Sequence, residues 1–480
     1  MSVSARWKIV VATFVTMCSV VGVASAETTS LSADEAAFRA LYKELVEINT
    51  TRSVGNCTQA AEAMRKHLLA AGLPAADTQI LAPAEAPNDG ALIAVLHGTD
   101  KSAKPILLLA HIDVVEARRE DWQRDPFKLV EENGWFYARG ASDDKAMAAV
   151  LTDNLIRYKL EGYKPRRDIK LALTCGEETA GAGMFDSVRW LVQTRPEVLS
   201  AGFAINEGAT GELDKNGRPI ALQIQAGEKV YQDFALEATD VGGHSSRPTP
   251  NNAIVRLSAA LARLGAHNFP IALNPVTRSY FEAEATLVEP NVAADMRAVL
   301  QAPPDDAAAE RLWAIDPSWN AMLRTTCIVT QIEGGHAPNA LPQHVKANVN
   351  CRILPGTPVE DVQEEIARVL ADDTIALSPK GEGGVLSPVP PLSESIVQPA
   401  RRIAESIWPG VVIVPTMSTG YTDGKYLSAA GVPTYGLSGM FEDAEGNHIH
   451  GLNERMRVKS LMEGRRFLYE VVKLYADGKD

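Results

Sequence analysis

The side chains best suited to chemistry in this chain stand where apolar runs stop. Residues 106–110 lead straight into His111-Ile112-Asp113. Residues 171–174 lead into Cys175-Gly176-Glu177-Glu178, and residues 203–205 into Asn206-Glu207. A fourth group, Gly140-Ala141-Ser142-Asp143-Asp144-Lys145, immediately precedes a helical stretch. Taken singly, each reads most simply as a helix cap or a solvated turn. Together, on one sheet edge, they bring an imidazole and several carboxylates to the place where open α/β sheets bind ligands, beyond the carboxyl ends of the strands. The chemistry these donors suit is hydrolysis assisted by paired metals. Zinc takes histidine nitrogen and carboxylate oxygen, and a catalytic zinc keeps one position open for water. Two metals about 3.5–4 Å apart can share a carboxylate and a hydroxide. Asp113 lies two residues after His111, so the two side chains share a face if the strand continues. Its carboxylate is then expected to accept the second imidazole N–H.

The elements that must position these groups follow from periodicity. Residues 36–48 and 57–71 read as amphipathic helices. Short apolar runs at 91–96, 105–110, 169–175 and 203–205 read as strands, separated in part by helical stretches at 146–160 and 187–193. That alternation predicts an α/β domain with a mainly parallel sheet covered on both faces. From about Glu228 the pattern changes. Residues 229–239 alternate as a half-buried strand, 252–264 read as a helix, 325–333 and 344–354 as two strands, 359–370 as a helix and 374–378 as a last strand. This is a βαββαβ order, interrupted at 266–320 by an insertion with no strong signal. The α/β pattern resumes after 381–391. The expected division is a leader at 1–26, a first part of the α/β domain at 27–227, an inserted module at 228–390, and a second part of the α/β domain at 391–480.

Composition narrows the class. With 46% apolar and 22% charged residues the chain is an ordinary globular protein. Arg6 and Lys8, an apolar run over 9–23 and Ala24-Ser25-Ala26 have the layout of a secretory signal peptide cleaved near Ala26. At about 15 residues the run is short for a membrane span, although an uncleaved leader would act as an anchor. A secreted or periplasmic location is expected. Loss of Arg6 and Lys8 takes the formal charge from −13 to −15, a poor match for nucleic-acid phosphates. Cys57, Cys175, Cys327 and Cys351 remain, without CxxC spacing, so neither a thiolate zinc site nor a disulfide scaffold is expected. Cys327 and Cys351 are equally distant from residue 339, the centre of the loop between two expected antiparallel strands. Buried free thiols are the plainer reading of that pair; a cross-strand disulfide is the alternative that export permits.

The segments HIDVV, GASDDKA, CGEETAG, NEG, GGHSSRP, NALP, RILPG and HIHGLNE, in that order, resemble the aminoacylase-1, carboxypeptidase S and glutamate carboxypeptidase family of co-catalytic zinc hydrolases. The likeness runs from about residue 36 to the C-terminus. It implies a zinc-peptidase-like fold with an inserted βαββαβ lid and two zinc ions per subunit, Co²⁺ or Mn²⁺ being other candidates. It implies that Asp143 bridges the metals, that His111 and Glu207 complete one site, and that Glu178 and His450 complete the other. The family spacing His-x-x-Asn-Glu favours His450 over His448. Glu177 is implied as the general base, and His244 as the oxyanion donor, delivered from a partner subunit in a homodimer joined through the lid. Asn339 is placed to hydrogen-bond the substrate, Arg352 to hold its carboxylate, and Ser418, Thr419 and Gly420 to add backbone contacts. Three positions depart from the usual pattern: Ala138, Ala146 and Gly176. The last removes an acceptor that would help orient Glu177.

These implications point to a metal-dependent hydrolase that cuts an amide bond next to a free carboxylate, through attack by a metal-bound hydroxide. Its substrate is expected to be a peptide or an N-acyl amino acid. A dipeptidase is the rival enzyme. A metal-bound peptide-binding protein without activity is the rival of another class, and the carboxylate at Glu177 argues against it.

Overall fold

The computed structural model describes residues 31–178, 185–381 and 384–478, so the expected leader at 1–26 lies outside the described residues. Helices Ala33–Glu47 and Cys57–Ala70 begin at Ser32 and Asn56, whose side chains accept the backbone N–H of Glu35 and Gln59. These caps satisfy donors that a helix start leaves open. A ten-stranded sheet follows. At its centre Ile169–Thr174, Ile106–His111, Phe203–Asn206 and Thr434–Gly436 run parallel in that spatial order. Ala91–Leu96 and Thr78–Leu81 extend one side antiparallel, and Pro219–Glu228 continues the other, with Val412–Ser418 parallel to it.

Every residue of Ile106–His111 is buried, and the reason is visible in the two cores. Ile106, Leu108 and Ala110 face the helices Lys145–Leu160 and Val458–Asp477, while Leu107 and Leu109 face the helix Ser187–Thr194. A strand covered on both faces has no place for polar alternation. The first polar residue after Ile106 is His111, at the carboxyl end.

Between Glu228 and Val230 the chain passes to a second sheet. It is four-stranded and antiparallel, in the order Thr326–Gly334, His344–Ile353, Val230–Thr239, Ile375–Lys380. Helices Ala253–Gly265 and Val359–Leu370 bury one of its faces with a separate core that includes Phe234, Leu236, Leu257, Val349 and Ile366. Both residues at the passage are pinned by hydrogen bonds. The Glu228 carboxylate accepts from the Thr422 N–H and hydroxyl at 2.6 and 2.7 Å. The Lys229 ammonium donates to the carbonyls of Ala321 and Arg324, both at 2.8 Å.

The insertion has more structure than its sequence signalled. It forms the helices Pro275–Glu284, Pro290–Ala298, Asp306–Ile315 and Pro317–Leu323. Their core, with Phe281, Met296 and Leu312, also contains Ala221 and Val414 of the large sheet. The insertion therefore interrupts the lid in sequence and covers the first domain in space.

The cysteines also depart from expectation. Cys327 sits directly opposite Cys351, and the two are disulfide-bonded. Cys57 is bonded to Cys175 across 118 residues. The reading of free thiols fails for Cys327 and Cys351 and the cross-strand alternative holds, while Cys57–Cys175 was not anticipated, because no local register brings its members together. Among the described residues no helix is long and apolar enough to cross a membrane.

Candidate metal centre

Five of the expected ligands meet at the carboxyl ends of the central strands. The Nε2 of His111 lies 3.0 Å from Oδ1 of Asp143 and 3.6 Å from Oε1 of Glu207. The Nε2 of His450 lies 3.1 Å from Oδ2 of Asp143 and 2.9 Å from Oε2 of Glu178. Asp143 thus turns one oxygen to each histidine. Glu177 is within the same cluster, its carboxylate close to His111 and Glu207. His448, the competing histidine, is exposed and precedes His450 by two residues in the same loop.

The donor set is chemically suited to divalent cations. Atoms that share a tetrahedral metal with bonds of about 2 Å stand roughly 3.3 Å apart, and the observed 2.9–3.6 Å separations fall around that figure. Four carboxylates crowd two imidazoles, and among the described residues no lysine or arginine pairs with any of the four. Uncompensated buried carboxylates are costly; divalent cations would neutralise them. The shifts in proton affinity have the same origin. Burial, followed by neighbouring carboxylates, holds Glu177 and Glu207 well above the usual carboxyl range, against the opposing pull of His111. Burial would also raise Asp143, but hydrogen bonds from His111 and His450 take it below its ordinary value. Contacts with Asp143 and Glu178 push His450 up to about 10.

The supporting groups correct one expectation and add others. The Nδ1 of His111 faces the main-chain carbonyl of Asp113 at 3.0 Å, while the Asp113 carboxylate stands off at 3.7 Å. The strand ends at His111, so Asp113 no longer shares its pleat. Its side chain instead accepts the backbone N–H of Glu178 at 3.0 Å and so holds the backbone at that ligand. Gly176, the departure from the family pattern, has φ +99°, and a Cβ there would collide with the Phe185 carbonyl. Only glycine fits that turn.

Glu454 received no role from the sequence beyond its place in HIHGLNE. Fully buried, it accepts from the backbone N–H groups of Gly140, Ser142 and Asp143 at 3.1, 2.8 and 3.0 Å, and from Arg139 at 2.6 Å. One carboxylate therefore shapes the loop that presents Asp143. Behind Glu177 lies Asp423, which accepts the Thr174 hydroxyl at 2.8 Å and is pushed up to about 8 by burial and by Asp186. Position alone, in the turn after Gly420, was its signal.

The expected substrate residues are dispersed. Ser418 ends the strand Val412–Ser418, its carbonyl accepting Lys229 N–H, and its hydroxyl accepts Gly420 N–H at 3.1 Å. Thr419 and Gly420 form the half-buried turn beyond it. Arg352 lies on the lid strand His344–Ile353, stacked on the Tyr231 and Tyr421 rings. His244 and Asn339 belong to one small ribbon, in which Gly243–His244 pairs with Ala340–Leu341 and Ser245 N–H donates to the Asn339 carbonyl. Both are exposed, and among the described residues the His244 ring hydrogen-bonds Ser246 alone. The structure does not bring His244 or Asn339 into the cluster of its own chain.

Comparison with known proteins adds an independent line. Residues 107–474 match the sequence profile of peptidase family M20/M25/M40. The chain is 30% identical over 389 residues to human N-fatty-acyl-amino acid synthase/hydrolase PM20D1, covering 78% of this chain and 75% of that protein. It is 25% identical to mouse aminoacylase-1, covering 76% and 79%. An M20 family metallo-carboxypeptidase from Sulfolobus solfataricus superposes with a TM-score of 0.64 at 18% identity, over 93% of this chain and 100% of that one.

Proposed function

The chain belongs to peptidase family M20/M25/M40 and is a metal-dependent hydrolase of peptide or amide bonds; from that premise we propose that it is an exported two-zinc enzyme releasing an amino acid with a free carboxylate from an N-acyl amino acid or short peptide. The observation that carries this reading is Asp143, whose two oxygens face His111 and His450 separately. One carboxylate shared by two histidine-containing donor sets is what a pair of cations needs. His111, Asp143 and Glu207 would hold one, and Asp143, Glu178 and His450 the other. When bound, such a pair lowers the pKa of water and polarises the scissile carbonyl.

This chain's own groups supply the rest. Glu177 takes a proton at its carboxylate and returns it to the leaving nitrogen, so that the amine departs neutral. Burial already raises its proton affinity, which favours the return step. Arg352 holds the substrate carboxylate, and the turn at Ser418, Thr419 and Gly420 supports it. His244 and Asn339 are exposed on a lid ribbon, in keeping with service to the site of a second copy. Two features favour a homodimer through the lid. The strand Thr326–Gly334 is an unpaired edge carrying Ile328 and Ile332 at 67% and 58% exposure, and the adjoining helix exposes Ile254 and Val255. Edges of this kind invite pairing with another chain.

The test is a panel of N-acyl amino acids, their carboxamides and dipeptides, assayed with the native protein, after chelation, and after return of Zn²⁺, Co²⁺ or Mn²⁺. The reading expects turnover of N-acyl amino acids, loss on chelation and recovery with zinc. Turnover that survives complete metal removal contradicts it.

A further inference from the structure

Arg352 is held in an unusual way. Its guanidinium lies 4.8 Å from the ring centre of Tyr231 and 5.4 Å from that of Tyr421, and those rings meet edge to face at 6.0 Å. Among the described residues no acid pairs with it, and its Nη1 is buried without a hydrogen-bond partner. Lys229, itself a cation, is lowered to about 7 by burial and by Arg352. A buried N–H left unmade is costly, and a second cation nearby adds to the cost. An entering carboxylate would relieve both.

Tyr231 and Tyr421 come from different domains. Tyr231 lies on Val230–Thr239, directly across from Arg352 in the lid sheet. Its hydroxyl donates to Asp233 at 2.8 Å, and Asp233 also accepts from Asn348 and Asn350 at 3.1 and 2.8 Å, so the ring is fixed to the lid. Tyr421 follows the turn Ser418-Thr419-Gly420 on the catalytic side, with the Lys425 ammonium 3.6 Å from its ring centre. Burial and then the charge of Glu177 raise its hydroxyl to about 12.

We propose that Tyr231 and Tyr421 form an aromatic clamp that positions Arg352 for the substrate carboxylate, with its donors free and only when lid and catalytic domain are seated together. An acidic partner would hold the guanidinium by the same N–H edge a ligand must use. Aromatic faces hold it by its plane and leave that edge open. Tyr421 and Tyr231 are thus positioning residues, acting through Arg352, and the inference rests on the reading of Arg352 as the carboxylate binder.

The experiment measures KM and kcat for an N-acyl amino acid and for its carboxamide with Arg352→Ala, Tyr421→Leu, Tyr421→Phe and Tyr231→Leu, each checked for native circular dichroism. The clamp predicts that Tyr421→Leu and Tyr231→Leu raise KM for the acid roughly ten-fold, leave kcat within about three-fold, and leave KM for the carboxamide unchanged. Tyr421→Phe, which keeps the ring, should stay near the parent. Should Arg352→Ala discriminate acid from amide while neither leucine variant does, the clamp is overturned and the carboxylate reading stands. Should Arg352→Ala fail to discriminate, both fall. Equal effects of Tyr421→Leu and Tyr421→Phe would also overturn the clamp, because the hydroxyl rather than the ring would then matter. Tyr231→Leu keeps the question decidable if Tyr421→Leu does not fold.

Discussion

At the scale of single residues, the site is built from carboxylates with different tasks set by their surroundings. Asp143 is flanked by two imidazoles, Glu177 shares His111 with Glu207, and Glu454 is sealed among backbone donors. Glu454 gives the sharpest residue-level prediction. Replacing it with Gln exchanges an acceptor oxygen for an NH₂ facing the N–H groups of Gly140, Ser142 and Asp143. The loop presenting Asp143 should relax, and metal affinity should fall about 10–100-fold, the usual scale for groups that orient ligands. Competition with a zinc indicator at fixed pH measures this. Parental affinity would show that the loop holds its shape without the charge.

At the scale of elements, the passage between domains carries its own signature. Burial raises the Glu228 carboxyl from the ordinary 4.5 to about 7 in the folded chain. A carboxyl whose folded pKa lies above its unfolded value favours folding when protonated. Its contribution is therefore complete below about pH 4.5 and is lost as pH rises through about 7. Urea unfolding between pH 4.5 and 7 should show stability falling with pH, by up to about 3 kcal/mol from this group. Glu228→Gln should flatten that slope; an unchanged slope would assign the dependence elsewhere. The elements also show what sequence can and cannot carry. Strands such as Ala91–Leu96 and the helix Val359–Leu370 were legible to the residue, because burial on both faces or on one writes a clear period. The strand Pro219–Glu228 was not read as one, since its ten residues mix buried and half-buried positions after a turn. The four helices of the insertion are seven to ten residues long, too short for a convincing period. Three of their four starts were nevertheless marked, by Asn274-Pro275, Asp305 and Asp316-Pro317, where an Asx side chain caps the helix. The Cys57–Cys175 pair and the role of Glu454 were invisible for another reason: both join distant segments, and no spacing records such a contact.

At the scale of the whole molecule, two separately cored sheets are joined at Glu228 and Lys229, and His244 and Arg352, expected to complete the reaction, are on the lid. His244 points to solvent in its own chain. A C₂ dimer in which each lid serves the other cleft would use one surface twice. Mixing inactive His244→Ala with inactive Glu177→Gln should then restore partial activity, since one site of each mixed dimer has both residues intact. Demonstrated subunit exchange without recovery would place His244 on its own chain or outside the reaction.

The central claim is that Glu177 moves the proton while its neighbours hold the metals, and the most direct test is Glu177→Gln measured for both properties on one preparation. Metal content per chain by elemental analysis should equal that of the parent, and kcat on an N-acyl amino acid should fall by about 10²–10⁴. Full metal content with kcat within a few-fold of the parent would contradict the account, as would loss of activity that merely follows loss of metal.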